Sequence, residues 1–259
     1  MGYKKIIRYG NSMELYEYEK HPDTLGRRRG NRRGRKNISG DKSLGTDGEK
    51  VVCRQEELGK RQDNARSVSV VFRRLVSSNL SGSELPLLIT FTYKENMSDI
   101  SVGYKDYRSF IQNLRYKFGK DFKYICVPEF QKRGAVHFHA LFWGLPSETC
   151  VRERHTRDIA RLWGKGFVDM MLTDGNEKIS GYLAKYMSKA FIDPRLKNQK
   201  AYTTSRNISR PTIEKGDYAF WPIIDEFALN NPPIFDKEYW TKWLGTCRYR
   251  HYKISNDKP

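Results

Sequence analysis

The sequence predicts an α+β fold, a central antiparallel β-sheet flanked by helices. Three observations carry this reading. Two strand-like runs, KYICVPEF (123–130) and AVHFHALFW (135–143), stand a few residues apart, so they pair as an antiparallel hairpin. A third apolar run, LPLLITFTY (85–93), has the length of a buried strand. Around these runs, apolar residues recur at three- and four-residue spacing, the period of helices that cover one sheet face.

The elements follow in chain order. Residues 56–80 are helical in pattern: Val68, Val71, Leu75 and Val76 recur at that spacing, with Arg61, Arg66, Arg73 and Arg74 between them. Strand 85–93 has its proline near the start, where a missing N–H is tolerated. Ser98 and Asp99 open a helix through about Phe118, with Tyr107, Phe110, Ile111 and Leu114 on one face. After the hairpin come a helix at 150–163, a strand at 166–173 with TDGN as its turn, and a helix at 177–191 stopped by Asp193-Pro194. The core therefore spans 61–195. A basic N-terminal segment, 1–60, precedes it and is expected to be partly disordered. Residues 196–259, aromatic and basic with several prolines, read as an extension packed on the core.

Composition narrows the function. At 38% hydrophobic over 259 residues, the chain can bury a core. No run approaches 18 apolar residues, so no transmembrane helix is expected, and MGYKKIIRYGNS has no secretory apolar stretch. Cys53, Cys126, Cys150 and Cys247 are far apart and form no CxxC pair. Neither a zinc ribbon nor a disulfide scaffold is indicated, and a reducing cytosol is the expected setting. Lys and Arg total 48 against 30 Asp and Glu, a formal charge of +18, which points to a polyanionic partner. Residues 1–60 hold 15 basic and 9 acidic residues and the remainder 33 and 21, so the folded part is basic too. The densest block is GRRRGNRRGRK, with Arg27, Arg28, Arg29, Arg32, Arg33 and Arg35. It has no apolar face to bury and reads either as a phosphate-grasping arm or as a solvated tail.

The second strand of the hairpin contains His137-Phe138-His139. Strand side chains alternate, so both imidazoles share a face and Phe138 points the other way. If Lys132-Arg133-Gly134 is a three-residue turn with Gly134 in the left-handed region, Gln131 faces Ala135 and Glu129 lies opposite His137, on its face. A four-residue loop would send Glu129 to the other face. Two imidazoles and a carboxylate suit a metal with open positions for a phosphate oxygen, or a non-haem iron. They also suit hydrogen-bonded core histidines.

The helix GYLAKYMSK (181–189) is the second constellation. Tyr182 and Tyr186 are one turn apart, and Lys185 and Lys189 each follow a tyrosine by three, so the four are expected in one stripe. A phenol with a pKa near 10 is a poor nucleophile at neutral pH; a nearby ammonium favours phenolate. Packing of the two tyrosines is the alternative.

Together, ITFTY in an early strand, HFH in a later one and the doubled tyrosine–lysine helix resemble the three motifs of HUH endonucleases. VPEFQKRGAVHFHALFW is especially similar to the rolling-circle replication initiators of microviruses and related single-stranded DNA phages. The resemblance covers roughly residues 62–191. It implies an RRM-like core in which His137, His139 and Glu129 hold Mg²⁺ or Mn²⁺. Tyr182 or Tyr186 would attack DNA to leave a 5′-phosphotyrosine, and Lys185 and Lys189 would steady the phosphate charge. Thr90 and Thr92 belong to the first motif, a structural or DNA-contacting strand. The arm arginines, Lys132 and Arg133 are the expected DNA contacts. The implied partners are a single-stranded DNA origin and the host helicase and DNA polymerase, in the host cell cytoplasm and without membrane. No GxxxxGK[ST] occurs, so no helicase motor is expected. A relaxase or transposase of similar core, and a non-catalytic basic nucleic-acid-binding protein, are the alternatives.

Overall fold

The computed structural model describes residues 2–22, 64–80, 84–145, 153–196, 199–216 and 221–254. The arginine block at 27–35, Cys53 and Cys150 lie outside the described residues. The chain divides into two compact units, Val52–Arg210 and Met1–Val51 with Pro211–Pro259.

In chain order the elements are β1 (Tyr3–Tyr9), β2 (Ser12–Tyr18), α1 (64–77), β3 (Leu87–Thr92), α2 (Ile100–Phe118), β4 (Lys123–Phe130), β5 (Val136–Trp143), α3 (Glu153–Trp163), β6 (Val168–Leu172), α4 (Lys178–Ile192), β7 (Thr203–Thr204), β8 (Thr212–Lys215), α5 (Trp221–Asn230), β9 (Phe235–Thr241) and β10 (Gly245–Lys253). The protein is α+β, as the sequence predicts. Between Leu87 and Ile192 the expected elements appear within a few residues of their expected ends.

The unit Val52–Arg210 holds a five-stranded antiparallel sheet in the order β6-β3-β5-β4-β7. Alternation along β5 puts Phe138, Ala140 and Phe142 on one face and His137 and His139 on the other. The phenylalanine face is covered by α2 and α3. Tyr107 stacks on Phe138 at 5.1 Å between ring centroids, Phe110 meets Phe91 at 4.7 Å, and Trp163 meets Phe91 at 5.2 Å. Asp99 caps α2 by accepting from the Ser101 and Val102 amides, as its position before the apolar pattern predicts. The other face receives α4, which buries Leu183, Ala184 and Met187. Gly166, two residues before β6, passes so close to β3 that a Cβ there would stand 2.4 Å from the Thr92 carbonyl oxygen.

Phe138 is 0% exposed at the centre of the aromatic layer. Phe138→Ala is expected to cost about 3–5 kcal/mol, the toll of deleting a large buried ring. A chemical denaturation curve measures it; a loss under about 1 kcal/mol would mean that the layer closes over the gap.

The other unit contains elements that local sequence pattern does not assign, at both ends of the chain. Its sheet runs β8-β1-β2-β10-β9. β1 and β2 form a hairpin with Tyr9 opposite Ser12, joined through Gly10 and Asn11, with Gly10 at φ +51°. That two-residue Gly-Asn between apolar runs is a hairpin signal present in the sequence. α5 lays Ile224 and Phe227 against Ile6, Met13, Leu15 and Tyr252. Residues 196–259 are thus split: β7 completes the first sheet, while β8, α5, β9 and β10 belong with the N-terminal hairpin. Among the described residues no helix is long and apolar enough to cross a membrane.

Candidate active site

The hairpin turn sets the site. Gln131 N donates to Ala135 O at 2.8 Å, Gly134 N donates to Gln131 O at 2.9 Å, and Gly134 has φ +93°. This is the three-residue turn expected from Lys132-Arg133-Gly134. Glu129 therefore pairs with His137 across β4 and β5 and shares the histidine face. On the other side of β5, β3 pairs Thr90 with His139 and Thr92 with His137.

His139 is 5% exposed, and its Nε2 lies 2.9 Å from Glu129 Oε2. A carboxylate only accepts, so Nε2 donates to it, and Nδ1 lies 3.3 Å from Thr90 Oγ1. A threonine hydroxyl both donates and accepts, so Thr90 can hold either tautomer of this ring. The motif resemblance implies only a structural or DNA-contacting strand for Thr90; its contact with His139 follows from strand pairing, which local pattern does not specify.

The α4 helix closes the site from above this face. The Tyr186 ring stacks on His139 at 3.9 Å and 22°. Tyr186 Oη donates to Tyr182 Oη at 2.8 Å, and the two rings meet edge-on at 5.0 Å. Lys189 Nζ donates to Glu129 Oε1 at 2.7 Å. One continuous chain of contacts thus joins Tyr182, Tyr186, His139, Glu129 and Lys189. Lys185, expected beside Lys189, is exposed and makes no hydrogen bond or ion pair among the described residues. The expected stripe therefore delivers three of its four side chains to the cluster.

Burial pushes the Glu129 carboxyl up, but hydrogen bonds from His139 and Lys189 more than offset it, leaving it below the ordinary carboxylate range. Burial, then the Tyr182 hydrogen bond and the Glu129 charge, raise the Tyr186 phenol. Burial and the neighbouring His139 lower His137 to about 4, so its imidazole is neutral at neutral pH. His137 Nε2 is buried with no hydrogen-bond partner.

Among the described residues, no group of three His, Cys, Asp or Glu side chains is gathered closely enough to hold a metal ion as they stand. Both Glu129 oxygens are already taken, by His139 and Lys189. The donor set nevertheless suits a divalent cation. His137, whose Nε2 is unpartnered, stands opposite Glu129 in the strand register with its ring 6.2 Å from that of His139, and buried polar atoms of this kind call for a partner.

The cluster opens into a cleft of about 820 Å³ lined by Glu129, His137 and Lys189, with Lys132, Arg133 and Arg195 among its walls. Arg133 is held by the Tyr93 carbonyl at 2.8 Å and by Gln131 Oε1 at 2.9 Å. Arg195, which no sequence motif singles out, lies 3.9 Å over the Phe130 ring and pairs with Asp193 at 2.6 Å. Its one sequence signal is its position just past the Asp193-Pro194 stop. With Lys189, four cations face two carboxylates, an environment fitted to a phosphate group.

Fold and site together define an α+β protein whose sheet carries a histidine–carboxylate pair under a tyrosine-bearing helix, in a cationic cleft. Residues 86–191, under half of the chain, match the family described as Replication-associated protein ORF2/G2P. The matched segment contains Thr90, Glu129, both histidines, both tyrosines and Lys189. It supports a replication-initiator family and a role in the initiation of DNA replication. No curated protein and no solved structure matches the chain.

Proposed function

We propose that this protein nicks and rejoins single-stranded DNA at an origin, through a 5′-phosphotyrosine intermediate, to start rolling-circle replication of a phage-type genome. The observation that carries this reading is the unbroken contact chain from Tyr182 through Tyr186, His139 and Glu129 to Lys189, opening on a cationic cleft. The replication-associated family match and the charge of +18 support the same substrate class.

His137, His139 and Glu129 would hold Mg²⁺ or Mn²⁺, which when bound supplies Lewis-acid polarisation of a phosphate oxygen. Glu129 would exchange its present bonds to do so, releasing the Lys189 ammonium to face the phosphate charge. Lys132, Arg133 and Arg195 would orient the strand from the walls of the cleft. One tyrosine oxygen gives its proton to solvent as it attacks the scissile phosphorus, the P–O3′ bond breaks, and the 3′ oxygen takes a proton from solvent and leaves as a hydroxyl. The 5′ phosphate stays on the tyrosine as a diester. The bond energy is conserved, so a later 3′-OH reverses the step and closes a circle without ATP. A host polymerase would extend the free 3′ end and a host helicase would open the duplex ahead of it, in the host cell cytoplasm.

Incubation with labelled single-stranded origin candidates, with and without Mn²⁺, tests the reading directly. A metal-dependent covalent adduct is expected. Tight strand binding with no adduct on any origin candidate would favour a non-catalytic binding protein instead.

The arginine block makes a separate prediction. Neutralising Arg27, Arg28, Arg29, Arg32, Arg33 and Arg35 is expected to weaken binding of any single strand. The salt dependence should flatten by roughly one unit of slope for each phosphate that is no longer neutralised. The preferred cut position should stay the same; a shifted cut with intact affinity would mean that the arm reads sequence.

A further inference from the structure

We propose that a second nucleotide of the bound strand seats in a cleft on the opposite face of the catalytic sheet, between α2 and the β4–β7 edge. The cleft encloses about 650 Å³, room for a nucleotide. Alternation along β4 places Tyr124 on the face away from Glu129, so this cleft is separate from the histidine cluster. Its proposed occupant rests on the single-strand reading above.

Two features of the lining point to a nucleotide. Tyr104, Tyr124 and Tyr202 offer aromatic surface, on which any base can stack. Arg108, Lys200 and Arg206 supply positive charge, and no carboxylate lines the cleft. Behind this lining the Tyr107 and Thr203 hydroxyls are buried beside the Cys126 thiol. The walls are tied together, because Tyr104 Oη donates to the Lys200 carbonyl.

The source we assign is the substrate strand rather than a free nucleotide. β7 is only two residues long, so a strand leaving the catalytic cleft can pass round this edge of the sheet. Tyr124 and Glu129 share β4 and stand five residues apart, about 17 Å along the strand. The cations line the cleft from exposed positions, fitted to a backbone that continues past it; no glycine-rich loop is present among the lining residues to cradle a terminal phosphate.

Photochemical cross-linking of the full chain tests this. Single-stranded oligonucleotides carry one 5-iododeoxyuridine, moved position by position, and the linked peptides are mapped. A short window of positions is expected to link to Tyr104, Tyr124 or Tyr202, separate from the positions that link to α4. Arg108 and Arg206 are exposed, so the Arg108→Ala/Arg206→Ala variant should fold. It should lose the cross-link and bind the long strand about tenfold more weakly. A short oligonucleotide ending before the window should bind and form its adduct as in the parent protein. The proposal is overturned if no position maps to the cleft, if short and long strands weaken equally, or if free 5-iododeoxyuridine monophosphate labels the cleft while the strand does not. Adduct formation reads the catalytic face and cross-linking reads the cleft, so failure of one is distinguishable from failure of the other.

Discussion

Replacing both Tyr182 and Tyr186 with phenylalanine is expected to abolish any covalent protein–DNA adduct, while each single replacement keeps an initial nick. Rolling-circle chemistry needs two transfers, one to open the origin and one to close the unit-length strand. Two phenols whose oxygens are 2.8 Å apart can alternate at one phosphate site, each holding a 5′ end while the other attacks. Single variants should therefore lose strand circularisation more than nicking. The two are not equivalent: Tyr182 is 42% exposed, whereas Tyr186 is stacked on His139 and donates its hydroxyl proton to Tyr182. Unequal losses are expected. Peptide mapping of the parent adduct decides the matter. DNA on one tyrosine alone, with the other tyrosine's variant fully able to circularise, would sink alternation.

His137→Ala and His139→Ala are each expected to lower cleavage by more than about 10²-fold, the scale for losing a group that stabilises transition-state charge. Binding of single-stranded DNA should be nearly unchanged, because it comes from phosphate neutralisation by cations. Chelation of divalent metal should reproduce the loss. Glu129→Ala should be milder, since both imidazoles remain. Thr90→Val removes the group that orients His139 and should cost about 10- to 100-fold, the usual range for a residue supporting a ligand. Parallel anisotropy and cleavage assays measure both quantities. If the double histidine variant still cleaves in excess chelator, the metal reading fails.

Much of the site is legible in the chain before any folding is considered. Alternation puts His137 and His139 on one face, and a three-residue turn through Gly134 brings Glu129 opposite His137. Both arguments concern residues within fifteen positions of each other, where strand period and turn length decide geometry. The α4 stripe is legible for the same reason, because i, i+4 neighbours share a helix face.

Local pattern was therefore enough for the elements from Leu87 to Ile192 and for the pairing of two tyrosines one turn apart, while the facing of Glu129 with the histidines hung on the turn length, which the structure gives as three residues. Long-range packing settled which sheet face α4 covers, and with it that Tyr186 stacks on His139. It also settled that Lys189, and not Lys185, reaches Glu129. A helix stripe is wider than one contact, and its rotation against a sheet is set by packing of Leu183, Ala184 and Met187 rather than by spacing. The second sheet was hidden for a related reason. β2 pairs with β10 across most of the chain, Tyr18 opposite Cys247 and Ser12 opposite Lys253, and no local periodicity encodes a partner that far away.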